Sequence, residues 1–136
     1  MPTKEKEHSG TILIIDCGKQ RHNLPSRLRM TGYTVELVSS GFHGLNMLEA
    51  ANFDLVIIKN HPEDMPSFEV TGLIRTNWNS LQMPIIFMQD REFQDTINMH
   101  QEMGVNNCLL SNVNFAELLK LIESFPKNKT AAKAKA

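Results

Sequence analysis

A chain of 136 residues is long enough for one well-buried domain, and 41% apolar with 21% charged residues is ordinary for a globular protein. A formal net charge of -1 gives no basis for nucleic-acid binding or attraction to an anionic membrane, and no apolar run reaches the ~20 residues that span a bilayer. Two cysteines and eight methionines favour a reducing, cytoplasmic location, and the polar residues 1–10 lack the apolar core of a signal peptide and are predicted to be disordered.

Short apolar runs alternate with helical patterns along the rest of the chain. This alternation predicts βα units around a parallel sheet. The first, third and fourth runs are almost continuously apolar, as expected for strands that helices cover on both faces. The five predicted strands are residues 11–16, 33–38, 54–59, 84–89 and 106–110.

The first three helices follow from local signals. Pro25 has no N–H to donate, so it belongs in the opening turn of the first helix, with Asn23 as the cap or a kink as the alternative. The second helix is predicted over roughly 42–51. Ser67 is the predicted N-cap of the third helix. One face of that helix is expected to carry Val70, Leu73, Ile74 and Trp78.

The last two helices have clearer boundaries. The fourth is predicted from about Arg91 to Met103, with Asp90 as its cap and Gly104 closing it. The fifth begins with a capping box, Asn114 and Glu117, and an apolar stripe at helical spacing follows. That stripe consists of Phe115, Leu118, Leu119 and Ile122.

The tail, residues 126–136, alternates lysine and alanine after Pro126 and offers no apolar face. We predict that this tail is disordered, because it has nothing to bury. The sequence therefore predicts one domain over residues 11–125, whose output is exerted through surfaces or ligands.

This framework resembles the receiver domain of bacterial two-component response regulators along residues 11–125. The resemblance implies a CheY-like, flavodoxin-like α/β fold: a three-layer sandwich with a five-stranded parallel sheet of order 2-1-3-4-5 and five helices. Helices one and five are expected on one face, with the other three opposite. The resemblance is carried by the spacing of the apolar runs and of Asp16, Gly32, Gly41, Pro84 and Gly104.

The resemblance also assigns positions at the carboxyl ends of the strands. In receivers these hold two acids after the first strand, a phosphate-accepting aspartate after the third, a hydroxyl after the fourth and a lysine after the fifth. The acids bind Mg²⁺, and the hydroxyl and lysine bind phosphoryl oxygens. At the same positions this chain has Asp16, Cys17, Lys59, Gln89 and Ser111.

These substitutions predict that phosphorylation chemistry is lost. An amine at Lys59 cannot form the acyl phosphate, and Cys17 is a poor ligand for Mg²⁺. The stretch 63–69 still resembles the loop after the acceptor, although Ser67 replaces its usual glycine. We therefore expect a degenerate pseudo-receiver that is not an enzyme and has no catalytic residue, no metal site and no cofactor, Mg²⁺ included.

The sequence offers a substitute for the missing metal. The first and third strands are neighbours in the implied sheet, so their tips lie on the order of 5 Å apart. We hypothesise that the Lys59 ammonium pairs with Asp16 in place of Mg²⁺. The alternative is that Lys59 extends its charged end into solvent.

A domain with fixed charges is expected to present a permanent binding surface. The resemblance implies a partner face formed by helix four, strand five and helix five, which could also serve self-association. On that face Met99 points away from the apolar stripe of its helix, and Leu121 lies at the flank of the next. We predict a phosphorylation-independent protein-interaction module.

Two alternatives stay open at this stage. One is a response regulator phosphorylated at an atypical site. The other is a small-molecule or thiol redox sensor that uses the strand-end pocket, with Cys17 as the reactive group. Cys17 and Cys108 are on strands separated by two others, about 14 Å apart, which is too far for a disulfide. No metal-ligand spacing is found among His8, His22, His43, His61 and His100.

Overall fold

The computed structural model describes residues 10–16, 23–60, 62, 64–90 and 94–126, and for residues 94–96 it describes the backbone alone. Within these ranges, five strands alternate with five helices. The strands are β1 (Thr11–Asp16), β2 (Thr34–Val38), β3 (Leu55–Lys59), β4 (Ile85–Gln89) and β5 (Asn107–Leu110). The helices are α1 (Leu24–Met30), α2 (Gly41–Ala50), α3 (Ser67–Arg75), α4 (Gln94–Met103) and α5 (Phe115–Ser124).

All five strands run parallel in the order β2-β1-β3-β4-β5. This order confirms the predicted flavodoxin-like fold. The register pairs Asp16 at the end of β1 with Lys59 at the end of β3. Because the strands are parallel, their last residues all face the same end of the sheet, the carboxyl end, where ligands collect in such folds.

Alternate side chains of the central strands point to opposite faces of the sheet and form two cores. One core packs Leu13 and Ile58 against α2 and α3, and the other packs Ile14 and Ile57 against α1 and α5. The distribution of helices over the two faces is as predicted. No helix in the described ranges is long and apolar enough to cross a membrane.

The starts of α1 and α5 follow from residues that the sequence singled out. Pro25 lies in the first turn of α1, where its missing N–H costs no hydrogen bond. Asn23 occupies the cap position there, but its side chain makes no capping hydrogen bond. In α5 the Asn114 side chain accepts hydrogen bonds from the backbone N–H groups of Ala116 and Glu117.

The prediction for α3 was wrong in three details. Pro66 is the N-cap, and Ser67 is the first helical residue, fully buried. The helix ends at Arg75, so Trp78 lies beyond it, although its N–H still bonds to the Ile74 carbonyl. Leu73 is exposed, because the buried face is centred on the i, i+4 pair Val70 and Ile74. The predicted start of α4, residues 91–93, lies outside the described residues.

Candidate functional site at the carboxyl end of the sheet

Four of the five predicted site positions meet at the carboxyl end of the sheet. The fifth, Cys17, lies outside the described residues. Gln89 ends β4 and is buried, and its carbonyl accepts a 2.8 Å hydrogen bond from the Ser111 N–H just after β5. The fold thus brings together Asp16, Lys59, Gln89 and Ser111.

Lys59 is buried instead of reaching into solvent. Its residue surface is 2% exposed, and its Nζ lies 3.7 Å from Oδ2 of Asp16. That separation is an ion-pair contact but too long for a good hydrogen bond. The Asp16 side chain keeps 17% of its surface exposed, so the pair lies at the boundary between core and solvent.

Ser111 has a hydroxyl with unused capacity. Its Oγ is buried and has no hydrogen-bond partner among the described residues. A buried hydroxyl without a partner is uncommon in folded proteins, because its desolvation is uncompensated. The Ser111 hydroxyl therefore has donor and acceptor capacity that no described residue uses.

A cavity of about 110 Å³ opens beside these residues, between the strand ends and helices α1 and α5. Arg27 from α1 lies over the Phe115 ring, with its guanidinium carbon 4.0 Å from the ring centre. This cation–π contact holds a positive charge at the cavity. The described residues that line it are Asn23, Leu24, Arg27, Lys59, Met88, Ser111, Val113, Phe115 and Leu118.

The loop after β3 uses its polar residues structurally. Asn60 has a left-handed backbone with φ of 60°, which turns the chain directly after Lys59. Asp64 accepts 2.9 Å hydrogen bonds from the N–H groups of Gly41 and Phe42 at the start of α2. The Phe42 amide is the largest of the causes that lower the pKa of Asp64. His61 and Glu63 lie outside the described residues.

The residues predicted for the partner face differ in exposure. Met99 on α4 is 42% exposed, whereas Leu121 on α5 is half-buried and packs against the core on its side of the sheet. Between α4 and β5 lies an apolar groove of about 330 Å³. Its lining residues are Gln89, Ile97, Cys108, Leu109, Leu110, Asn112 and Val113.

A buried polar contact behind this face was not foreseen. His100 on α4 is fully buried, and its Nε2 lies 2.7 Å from Oγ of Ser67. The imidazole also stacks on Phe87, with ring centres 3.7 Å apart. The serine in place of the family's glycine was the available signal, but its partner lies 33 residues away in sequence.

Of the two cysteines in the sequence, Cys108 lies in the described residues and Cys17 does not. Cys108 is half-buried, and burial raises the pKa of its thiol, which disfavours the reactive thiolate. Within the same residues, no three His, Cys, Asp or Glu side chains are grouped to hold a metal ion. His8 and His22 lie outside the described residues.

The sequence profile of the response regulator receiver domain matches residues 12–123. The chain belongs to the response-regulator receiver family. The chain is therefore a receiver domain of the two-component type, as its sequence predicted. No curated protein sequence is similar enough to match it.

Solved receiver structures show the same fold. A two-component response regulator from Clostridium difficile is 20% identical, with a TM-score of 0.74 over 83% of this chain and 92% of its own. The chemotaxis response regulator CheY4 of Vibrio cholerae is 22% identical, with a TM-score of 0.74 over 85% and 98%. A CheY-like receiver domain protein from Methanospirillum hungatei is 23% identical, with a TM-score of 0.72 over 85% and 92%.

Proposed function

We propose that this receiver domain has lost phosphorylation chemistry and acts as a phosphorylation-independent protein-interaction module. The observation that carries the proposal is the buried ammonium of Lys59, 3.7 Å from Asp16, at the position of the phosphate acceptor. A cation there replaces the nucleophile and occupies the space beside the remaining acid.

Phosphoryl transfer to a receiver needs a carboxylate nucleophile, a divalent cation and groups that bind the transferred phosphoryl oxygens. Lys59 cannot supply the carboxylate, and its charge opposes a cation at Asp16 by simple repulsion. Gln89 and Ser111 stand where the family has a hydroxyl and a lysine. All three requirements are affected together, which supports a change of role and not a weakened version of the same one.

The surface of α4 and β5 supports the interaction role. The groove there is lined mainly by apolar side chains, and Met99 is exposed on α4, two residues after the lining residue Ile97. An exposed methionine on the helix that borders an apolar groove suits a protein partner, because its flexible thioether adapts to different surfaces. The partner we propose is a signalling protein or a second copy of this chain.

Loss of phosphorylation is tested by incubating the whole chain with Mg²⁺ and acetyl phosphate and measuring intact mass after denaturation. We expect no added phosphoryl group, under conditions in which a conventional receiver domain gains one. A hydroxylamine-labile gain in mass would overturn the proposal and point to phosphorylation at an atypical site. The same reaction with Lys59→Asp tests whether a carboxylate at this position is sufficient to restore phosphorylation.

The interaction role is tested by affinity capture with two matched variants. Met99→Asp places a charge on the exposed surface of α4, the helix that borders the groove, and Met30→Asp makes the same change on α1, where Met30 is 86% exposed. A partner retained by the native chain and by Met30→Asp but lost with Met99→Asp supports the module and its face. If both variants retain the partner equally, the partner does not bind through that face.

A further inference from the structure

We infer that the cavity between the strand ends and helices α1 and α5 is a reversible binding site for a small oxyanion, such as phosphate or a short carboxylate. The inference does not depend on the loss of phosphorylation, because non-covalent binding leaves the denatured mass unchanged. It also concerns a different surface from the α4–β5 groove.

The cavity lining holds several hydrogen-bond donors whose capacity is unused. The Arg27 guanidinium makes no hydrogen bond or ion pair with any described residue, and its position is fixed by the Phe115 ring 4.0 Å away. The Ser111 Oγ is buried without a partner in the same set of residues. The Asn23 side chain makes no capping bond, although it occupies the cap position of α1.

The charges of the lining favour an anion. Among the nine described residues that line the cavity, Lys59 and Arg27 are cations and none carries a carboxylate. Asp16 contacts Lys59 but does not line the cavity, and their 3.7 Å separation leaves the ammonium N–H groups able to turn toward a closer acceptor. An oxyanion at this place would receive charge-assisted hydrogen bonds from two sides.

The size and the walls of the cavity limit the ligand. About 110 Å³ holds a few water molecules or one oxyanion of phosphate size, and excludes a nucleotide or a peptide. Leu24, Met88 and Leu118 form the apolar part of the wall, so the interactions of the bound ion with Lys59 and Arg27 are less screened than on an open surface. The donor set is thus suited to one small, compact anion.

The cavity adjoins the proposed partner face, so a ligand bound in the cavity can affect that face. Val113 lines both the cavity and the α4–β5 groove, and the turn from Ser111 to Val113 separates the two. A hydrogen bond from the Ser111 hydroxyl to a bound anion would restrain this turn. We therefore expect amide signals of Asn112 and Val113 to report occupancy of the cavity.

The test is a titration of the isotope-labelled whole chain with sodium phosphate, followed by two-dimensional NMR, with sodium acetate as a second arm. Sodium chloride at equal ionic strength is the control. We expect saturable shifts of the amides of Asn112 and Val113, and of Ser111 and Phe115 beside them, at roughly millimolar phosphate or acetate, and none with chloride. Saturation by phosphate alone or acetate alone supports the site and identifies which oxyanion it prefers.

Two variants locate the binding. Arg27→Gln and Ser111→Ala both change polar groups at the cavity, and Arg27→Gln should weaken binding about tenfold, as for the loss of one charge-assisted hydrogen bond. Lys120→Gln removes a positive charge from an exposed position of α5 that does not line the cavity, and should bind normally. Shifts that are equal in chloride, that do not saturate, or that persist unchanged in both cavity variants would overturn the inference.

Discussion

The two ends of the sheet each hold a buried or half-buried cation, and they treat it differently. At the amino end, the Arg75 guanidinium donates hydrogen bonds to five oxygens, all neutral, with two of the three contacts from Nη1 sharing one N–H. Burial lowers the pKa of Arg75 to about 10. The acceptors are the carbonyls of Gly104, Trp78, Asn79 and Met83 and the side-chain oxygen of Asn106.

At the carboxyl end, Lys59 has one charged contact at 3.7 Å and no hydrogen bond among the described residues. The comparison indicates that the cation at the amino end stabilises the fold, whereas the cation at the carboxyl end has hydrogen-bonding capacity that no described residue uses. Arg75 ties α3 to the segments that lead into β4 and β5, and each of its three guanidinium nitrogens donates at least one hydrogen bond. Lys59 lies beside a cavity and the Ser111 hydroxyl, which has no partner among the described residues, so the oxyanion site we infer would use polar groups left unpaired at some cost in stability.

Arg75 provides the largest expected effect. Arg75→Met removes five hydrogen bonds and should lower the free energy of unfolding by about 3 kcal/mol, measured by urea denaturation. Arg29→Met is the matched control, because Arg29 donates a single hydrogen bond to the Val35 carbonyl and should cost about 1 kcal/mol. Equal losses for the two variants would contradict the special role of the amino end.

The ion pair is tested by Asp16→Asn, which leaves the Lys59 ammonium buried without its counter-charge. We expect a loss of about 2 kcal/mol in the free energy of unfolding, smaller than for Arg75 because the contact is long and borders a cavity. Adding Lys59→Met to the same protein should recover part of that loss, since no charge is then left buried. A double variant that is less stable than Asp16→Asn would count against the pairing.

Tyr33 allows a pH test of the amino end. Burial, followed by the negative charges of Glu123 and Asp54, raises the pKa of Tyr33 to about 12 from 10.0. Between these values the unfolded chain has lost its phenolic proton while the folded chain keeps it, so stability falls as pH rises from 10 toward 12. The loss should reach roughly 2 kcal/mol.

Tyr33 is the one tyrosine of the sequence, so ultraviolet absorbance follows its ionisation directly. Tyr33→Phe should remove this part of the alkaline destabilisation while keeping most of the packing. An absorbance midpoint near pH 10 in the folded protein, the ordinary value for tyrosine, would show that the phenol is not held in its neutral form.

The smallest expected effect concerns Cys108 on β5, which borders the groove. Because burial raises the pKa of its thiol, alkylation by iodoacetamide should be slow at neutral pH and should keep increasing above pH 9.0, the ordinary value. The measurement is the rate of mass gain at Cys108, resolved by peptide mapping. Rapid modification at neutral pH, as fast as a free peptide thiol, would instead favour a redox role for the carboxyl end.

The sheet order and the placement of helices could be predicted because they depend on repeating patterns. Continuous apolar runs identify β3 and β4, and Asn114 marks the start of α5 by a local hydrogen bond. Where local signals compete, the prediction was weaker. Ser67 has the chemistry of an N-cap, yet its hydroxyl is used by His100 from another helix, a contact that no spacing rule indicates.

For the site, the sequence predicted which residues lie together and that Asp16 pairs with Lys59, but not the shape of the site. The resemblance to receivers identified which residues share the carboxyl end, and the parallel register of β1 and β3 placed Asp16 beside Lys59. The cavity, the Arg27 contact with Phe115 and the unpartnered Ser111 hydroxyl depend on how two helices pack, so the sequence alone did not indicate them. Side-chain packing between distant segments is the information that local patterns do not contain.

The pairing of Asp16 with Lys59 has a consequence for timing. An acyl phosphate persists for a limited period, so a domain that carries one keeps a record of recent events. Under the proposed function, Lys59 forms no acyl phosphate that would be made and hydrolysed in each round of signalling. The domain then keeps no record of recent events. The fraction of partner held in complex then follows the concentrations of the two proteins by mass action. Synthesis and degradation of the chain would set the duration of its signal.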